Sequence, residues 1–257
     1  TTQQLAIPAD TEVEIQLRMR NVDVRAELRA DDRALLRADA PNDRAGVITL
    51  HLPAGSARAT ELRVVGEDHA ANRGSVTLQV LGLPVASGAD RTRLAAVRAE
   101  AAACAAFGDP ARAQQAAAQY GEAARLRRKI GDHAGAGRNL LQEAGVQFQS
   151  LSEWQRSGEQ ARAAARLLRQ ANESALEVRA VRLEGAAIHA IAETLNGRAR
   201  EATYESARRR LSIAAQLAEQ RGLPYEAAFA FNYRGVTYQY QGRAAQAQAD
   251  YERALEL

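Results

Sequence analysis

Two hydrophobic periods divide the chain. Up to residue 86, apolar and charged positions alternate. Val13, Ile15, Leu17 and Met19 alternate with Glu14, Gln16 and Arg18, and Val22, Val24, Ala26 and Leu28 alternate with Asp23, Arg25 and Glu27. Ile48, Leu50 and Leu52, then Leu62 and Val64, then Val76, Leu78 and Val80 repeat the pattern. A period of two predicts strands with one buried face and one solvated face. Turn formers separate these stretches at Ala9 and Asp10, at Asp31 and Asp32, at Pro41, Asn42 and Asp43, at Pro53 to Gly55, and at Asn72 to Gly74. Six or seven short strands in about 85 residues predict a small antiparallel β-sandwich or jelly roll over 1–86.

Gly82, Pro84, Ser87 and Gly88 close this region, and from Ala89 the period is 3.6. Breaks at Gly108 to Pro110, Gly131, Ser152, Asn172, Asn196 and Gly197, Gly222 to Pro224, and Gly242 divide 87–257 into about eight helices. The fold class expected is α+β as two domains, a β-sandwich over 1–86 and an all-α repeat solenoid over 87–257. Composition agrees: of 58 alanines, 44 lie beyond Gly88, which suits closely packed helices.

The helices repeat. Cys104, Phe107, Ala116, Tyr120 and Ala123 share offsets of 0, +3, +12, +16 and +19 with Gly145, Phe148, Ser157, Ala161 and Ala164. Gly235, Tyr238, Ala247, Tyr251 and Ala254 follow the same spacing. Small residues fall where two helices of a pair should touch, with an aromatic or Ala filling the gap. The third pair is degenerate, with helices expected near 174–195 and 202–221 and an insertion near 196–203.

This spacing resembles the tetratricopeptide repeat, most closely at Asn232-Tyr-Arg-Gly-Val-Thr-Tyr-Gln-Tyr-Gln-Gly-Arg and Asp250-Tyr-Glu-Arg-Ala-Leu. The order of parts is similar to the N-terminal region of bacterial multidomain proteins that join such repeats to a C-terminal caspase-like CHAT domain. Carriers of that resemblance in the first part are Val22-Asp-Val-Arg-Ala-Glu-Leu28 and Gly74-Ser-Val-Thr-Leu-Gln-Val80. The resemblance implies a solenoid of four helix pairs and a piece of a longer protein, the last pair ending unfinished at Leu257. An uncovered final pair is expected to fray or to form an end-to-end homodimer.

Charge and chemistry narrow the function. Net charge is +3; 1–88 carry 10 bases and 12 acids, and 89–257 carry 24 and 19. That balance argues against a nucleic-acid partner, which needs cations concentrated on one face. No apolar run reaches the roughly 18 residues of a membrane span. Aromatics make up 5%, which disfavours a large aromatic-lined catalytic cavity. The one cysteine, Cys104, occupies the small-residue slot that Gly145 and Gly235 fill, so it reads as a packed thiol rather than a nucleophile paired with His51. His69, His133 and His189 have no partners at metal-ligand spacing, and no phosphate loop or cofactor signature is present. The basic runs 125–129 and 208–210 read as solvated helix faces, with an acidic partner or lipid headgroup as the sharper alternative. Glu201 and Glu205 read as surface partners of Arg208 and Arg209.

No enzyme, metal site or cofactor is therefore expected, and the partner expected is a protein or peptide. The repeat register, as the resemblance implies, would line a groove with Arg98, Asn139, Gln142, Glu143, Gln149, Asn232, Tyr233, Gln239 and Tyr240. That mix of amides and aromatics suits a peptide backbone or helix, supplied by a partner or by a C-terminal effector domain. The alternative is a carbohydrate- or surface-binding module led by the sandwich, against which stands the absence of Trp, Tyr and Phe from 1–86. The start at Thr1 is compatible with a cleaved leader, and the sequence leaves export and cytoplasmic residence both open.

Overall fold

The computed structural model describes residues 2–5, 12–20, 22, 24–30, 33–39, 47–54, 61–66, 74–83, 87–107 and 109–257. The turns expected at 9–10, 31–32, 41–43 and 72–73, with Gly55, His69, Pro84 and Gly108, lie outside the described residues. An antiparallel β region comes first and a helical region second. The compact units are Thr1–Gln142 and Glu143–Leu257, so the division falls within a helix and not at the change of period.

Among the described residues of the first unit, seven strands form two antiparallel sheets. Strands β1 (Thr2–Gln4), β6 (Glu61–Gly66), β3 (Val24–Ala30) and β4 (Arg33–Ala38) lie in that order in one sheet. Strands β5 (Val47–Leu52), β2 (Glu12–Arg20) and β7 (Ser75–Leu83) make the other. β1 and β4 lie outside the alternating stretches. Arg33-Ala-Leu-Leu-Arg-Ala38 carries adjacent leucines instead of alternation, and Leu35 is exposed.

β2 and β5 depart from the expectation of one solvated face. Their register pairs Ile15 with Leu50 and Leu17 with Ile48 on one side, and Glu14 with His51 and Gln16 with Thr49 on the other. The apolar side is buried, and so are Glu14, Gln16 and Thr49. Helix α1 (Gly88–Ala106) covers that polar side, packing against β5. Ser87 and Asp90 start α1 with a reciprocal capping box. Its apolar stripe docks on the sheet region, with Leu94 and Val97 buried together with Leu83. A short 3-10 turn at Pro110–Arg112 leads to α2 (Ala113–Lys129), which pairs with α1.

Helix α3 (His133–Gln149) begins in the first unit and ends in the second. The second unit continues with α4 (Trp154–Gln170), α5 (Ser174–Glu193), α6 (Gly197–Gln220), α7 (Pro224–Tyr240) and α8 (Ala244–Glu256). α4 packs on α5, α5 on α6, α6 on α7 and α7 on α8. The segment expected as an insertion near 196–203 is instead helical: Gly197 opens a 24-residue α6. No breaker follows Gly197, and Ala199, Arg200 and Ala202 favour helix, so the extra residues become added turns.

One turn recurs. Gly131, Asn172, Gly222 and Gly242 have φ of 74°, 57°, 63° and 70°. After each, an amide N–H reaches back five residues: Asp132 to the Arg127 carbonyl, Glu173 to Leu168, Leu223 to Ala218 and Arg243 to Tyr238, at 2.9–3.0 Å. This left-handed closure satisfies carbonyls that the helix end leaves open.

Candidate functional site

The first unit holds a buried charged network. Arg127 of α2 is 2% exposed, and its guanidinium donates to Glu100 of α1 at 2.7 Å, to Asp132 at 2.7 Å and to Glu14 of β2 at 3.4 Å. Thr49 of β5 and Asn139 of α3 also donate to Glu100, at 2.6 and 3.1 Å. Burial raises the Glu100 pKa, but Arg127, Arg138 and these hydrogen bonds outweigh it and leave the carboxyl below its usual range. The network joins two strands to three helices. It corrects the reading of 125–129 as a solvated face: position 127 points inward because Glu14 and Glu100 need a counter-charge away from water.

Cys104 is 1% exposed, with Sγ 3.4 Å from the Tyr120 hydroxyl. Burial, reinforced by Glu100, pushes its pKa up to about 12, so at neutral pH it is a thiol. His51 bonds to Glu12, which also accepts from Arg98 at 2.8 Å.

The nine groove residues divide between exposed and internal positions. Arg98 is exposed and held by Glu12. Asn139 is 1% exposed and committed to Glu100. Gln142 is buried, as is Glu143, which accepts from Gln147 and Gln160. Gln149, Asn232, Gln239 and Tyr240 are exposed, and Tyr233 is half-buried. Arg98, Asn139 and Gln142 belong to the first unit and the other six to the second.

Four of these residues cluster on α7, beside α5. The Arg182 guanidinium lies 5.2 Å from the Phe229 ring and 5.6 Å from the Tyr233 ring, and its Nε is 3.7 Å from Glu226. The cation holds both rings, and the Phe229 ring also meets the Tyr225 ring at 4.8 Å. Two turns on, the His189 ring meets Tyr204 at 5.4 Å and Tyr240, edge to face, at 5.1 Å. Burial lowers the His189 pKa, partly offset by Glu193, so the imidazole is neutral at pH 7. Tyr240 hydrogen-bonds Glu193, which raises its own pKa. Gln239 accepts from the Tyr251 hydroxyl at 2.7 Å. Sequence reading missed Arg182, His189, Tyr204 and Phe229. The third pair is degenerate, its close contact being Gly185 with Leu211, so α5 offered no register from which to place them.

The cluster offers aromatic rings, amides and a half-buried guanidinium. Among the described residues no group of three or more His, Cys, Asp or Glu could hold a metal ion, and no described helix is long and apolar enough to cross a membrane. No family model matches the sequence, and no curated protein is significantly similar to it.

Proposed function

We propose that the chain is a non-catalytic interaction scaffold in which a β-sandwich precedes a tetratricopeptide-type solenoid, and that the α5–α7 face binds a peptide or helix. Contacts at one offset support the repeat reading. Cys104 meets Tyr120, and a Cβ on Gly235 would lie 2.7 Å from the Tyr251 ring; both pairs are 16 residues apart. The recurring left-handed turn supports it too. For the sandwich, the support is burial of the apolar faces of both sheets, including Ile15, Leu50, Leu28 and Leu62.

The observation that carries the binding role is the Arg182–Phe229–Tyr233 stack beside exposed Asn232 and Tyr240. Rigid aromatics bury area at low entropic cost, and an adjacent amide can pair a peptide backbone. The test is selection of peptides from a random displayed library on the full chain, followed by binding to Tyr233→Ala/Tyr240→Ala. Loss of two central aromatics should weaken selected peptides by about 30-fold or more. Peptides that bind the double variant equally well place binding elsewhere.

A further inference from the structure

A second surface of the helical unit is built differently. The hollow between α4, α5 and α6, of about 560 Å³, is lined by five arginines and one glutamate. Its cations come in two rows. Arg162, Arg166 and Arg169 follow i, i+4, i+7 spacing on α4, and Arg209 and Arg210 face them from α6.

Buried carboxylates of α5 hold the rows in place. Glu184, 2% exposed, accepts from Arg162 at 2.7 Å and from Arg210 at 2.6 Å. Glu177, equally buried, accepts from Arg169 at 2.7 Å and pairs with Arg221 at 2.7 Å. Each carboxylate is shared by two guanidiniums from opposite sides, so the lining keeps excess positive charge. Arg166 has no ion pair or hydrogen bond among the described residues, and Arg209 reaches only Ser206 and Glu205, at 3.2 and 3.5 Å. Between the rows Ile188 and the exposed Ile213 give an apolar floor.

We infer that this groove binds an acidic amphipathic helix of a protein partner, with carboxylates on the two arginine rows and an apolar side chain on the floor. Charge complementarity selects the sign, and the isoleucines select a peptide over a polyanion without apolar groups. The α4 row spans about 10 Å, or two helical turns, which matches carboxylates at i, i+4 and i+7 of a bound helix. A nucleic acid would want a longer phosphate-tracking stripe, and a membrane would want several exposed apolar anchors, whereas Ile213 is the one exposed large apolar side chain of this lining.

The probe is a fluorescein-labelled helical peptide of about 14 residues, long enough for partial helicity, with Glu at i, i+4 and i+7 and Leu beside them. Polarisation is read with the full chain at low and moderate salt. The peptide should bind, and weaken by about ten-fold on raising salt from 50 to 300 mM as screening shortens. Replacing its Glu by Gln, or using Arg166→Glu/Arg209→Glu, should each cost at least ten-fold, with the melting midpoint of that exposed double variant unchanged. Tyr233→Ala/Tyr240→Ala should leave this binding intact, which separates the groove from the α5–α7 face. Absence of binding at low salt, equal binding by the charge-reversed variant, or tighter binding of an oligothymidylate or of anionic vesicles would overturn the inference.

Discussion

Arg127 shows most directly how one side chain can hold a fold together. It has three carboxylate partners drawn from β2, α1 and the turn before α3, two of them buried. Arg127→Met removes the guanidinium shared by Glu14 and Glu100 and leaves Glu100 to Arg138, Thr49 and Asn139. The expected cost is about 3–5 kcal/mol, read from urea unfolding. The same network sets an acid limb. The folded Glu100 pKa lies below the ordinary 4.5. Its contribution is therefore complete above the ordinary carboxylate range and is lost as pH falls through the lowered folded value. Asp132 is lowered too, against its burial, by the Gly135 amide and Arg127, and adds to the same limb. Stability of the wild type should start to fall below about pH 6.5, where the unfolded chain protonates His189 more readily than the folded protein does, and fall further below about pH 5 as these carboxylates protonate. Glu100→Gln should be weaker at pH 7 by about 2 kcal/mol and converge on the wild type in acid. Parallel pH curves would refute the assignment. Cys104 gives a simpler test: its thiol should resist a disulfide reagent in the native protein and react fully in urea.

At the scale of helices, small residues set the approach of each pair. A Cβ at Gly235 would sit 2.7 Å from the Tyr251 ring. Gly235→Ala should thus destabilise the α7–α8 pair by about 1–3 kcal/mol, more than its helix propensity returns. Gly235→Ala/Tyr251→Ala should recover part of that loss, so thermal melts of the single and double variants give the coupling. α8 is the least supported helix: Leu255 is 88% exposed, beside a hollow bordered by Phe229 and Tyr251. Amides of α8 should exchange faster than those of α5, whose Val178, Val181 and Ala187 are fully buried. Equal protection in a protein shown by light scattering to be monomeric would contradict this.

At the scale of the molecule, the sheets and the first helices share one unit. The Arg127 network and the Leu83–Leu94–Val97 cluster tie α1 and α2 to β2, β5 and β7. Strand amides of β2 and β5 and helix amides of α1 and α2 should therefore lose protection at one denaturant concentration. Separate transitions for strands and helices would show that these ties are energetically minor.

Local chemistry was legible in the sequence. The change from period two to 3.6, the strands of β2 and β5, and the helix stops at Gly131, Asn172, Gly222 and Gly242 depend on neighbouring residues alone, so one chain suffices to read them. The 16-residue offset that brings Cys104 to Tyr120 and Gly235 to Tyr251 was legible for the same reason. Tertiary structure decided what occupies the second face of β2. An alternating Glu14 or Gln16 looks solvated until a helix from residues 88–106 lies over it and Arg127 supplies the counter-charge. It also decided which groove residues remain available: Asn139 and Tyr233 look alike as candidates, yet one is spent on Glu100 and the other covers Arg182. Burial and ion pairing between distant segments are properties of the packed chain, and no local pattern encodes which partner a charge will meet.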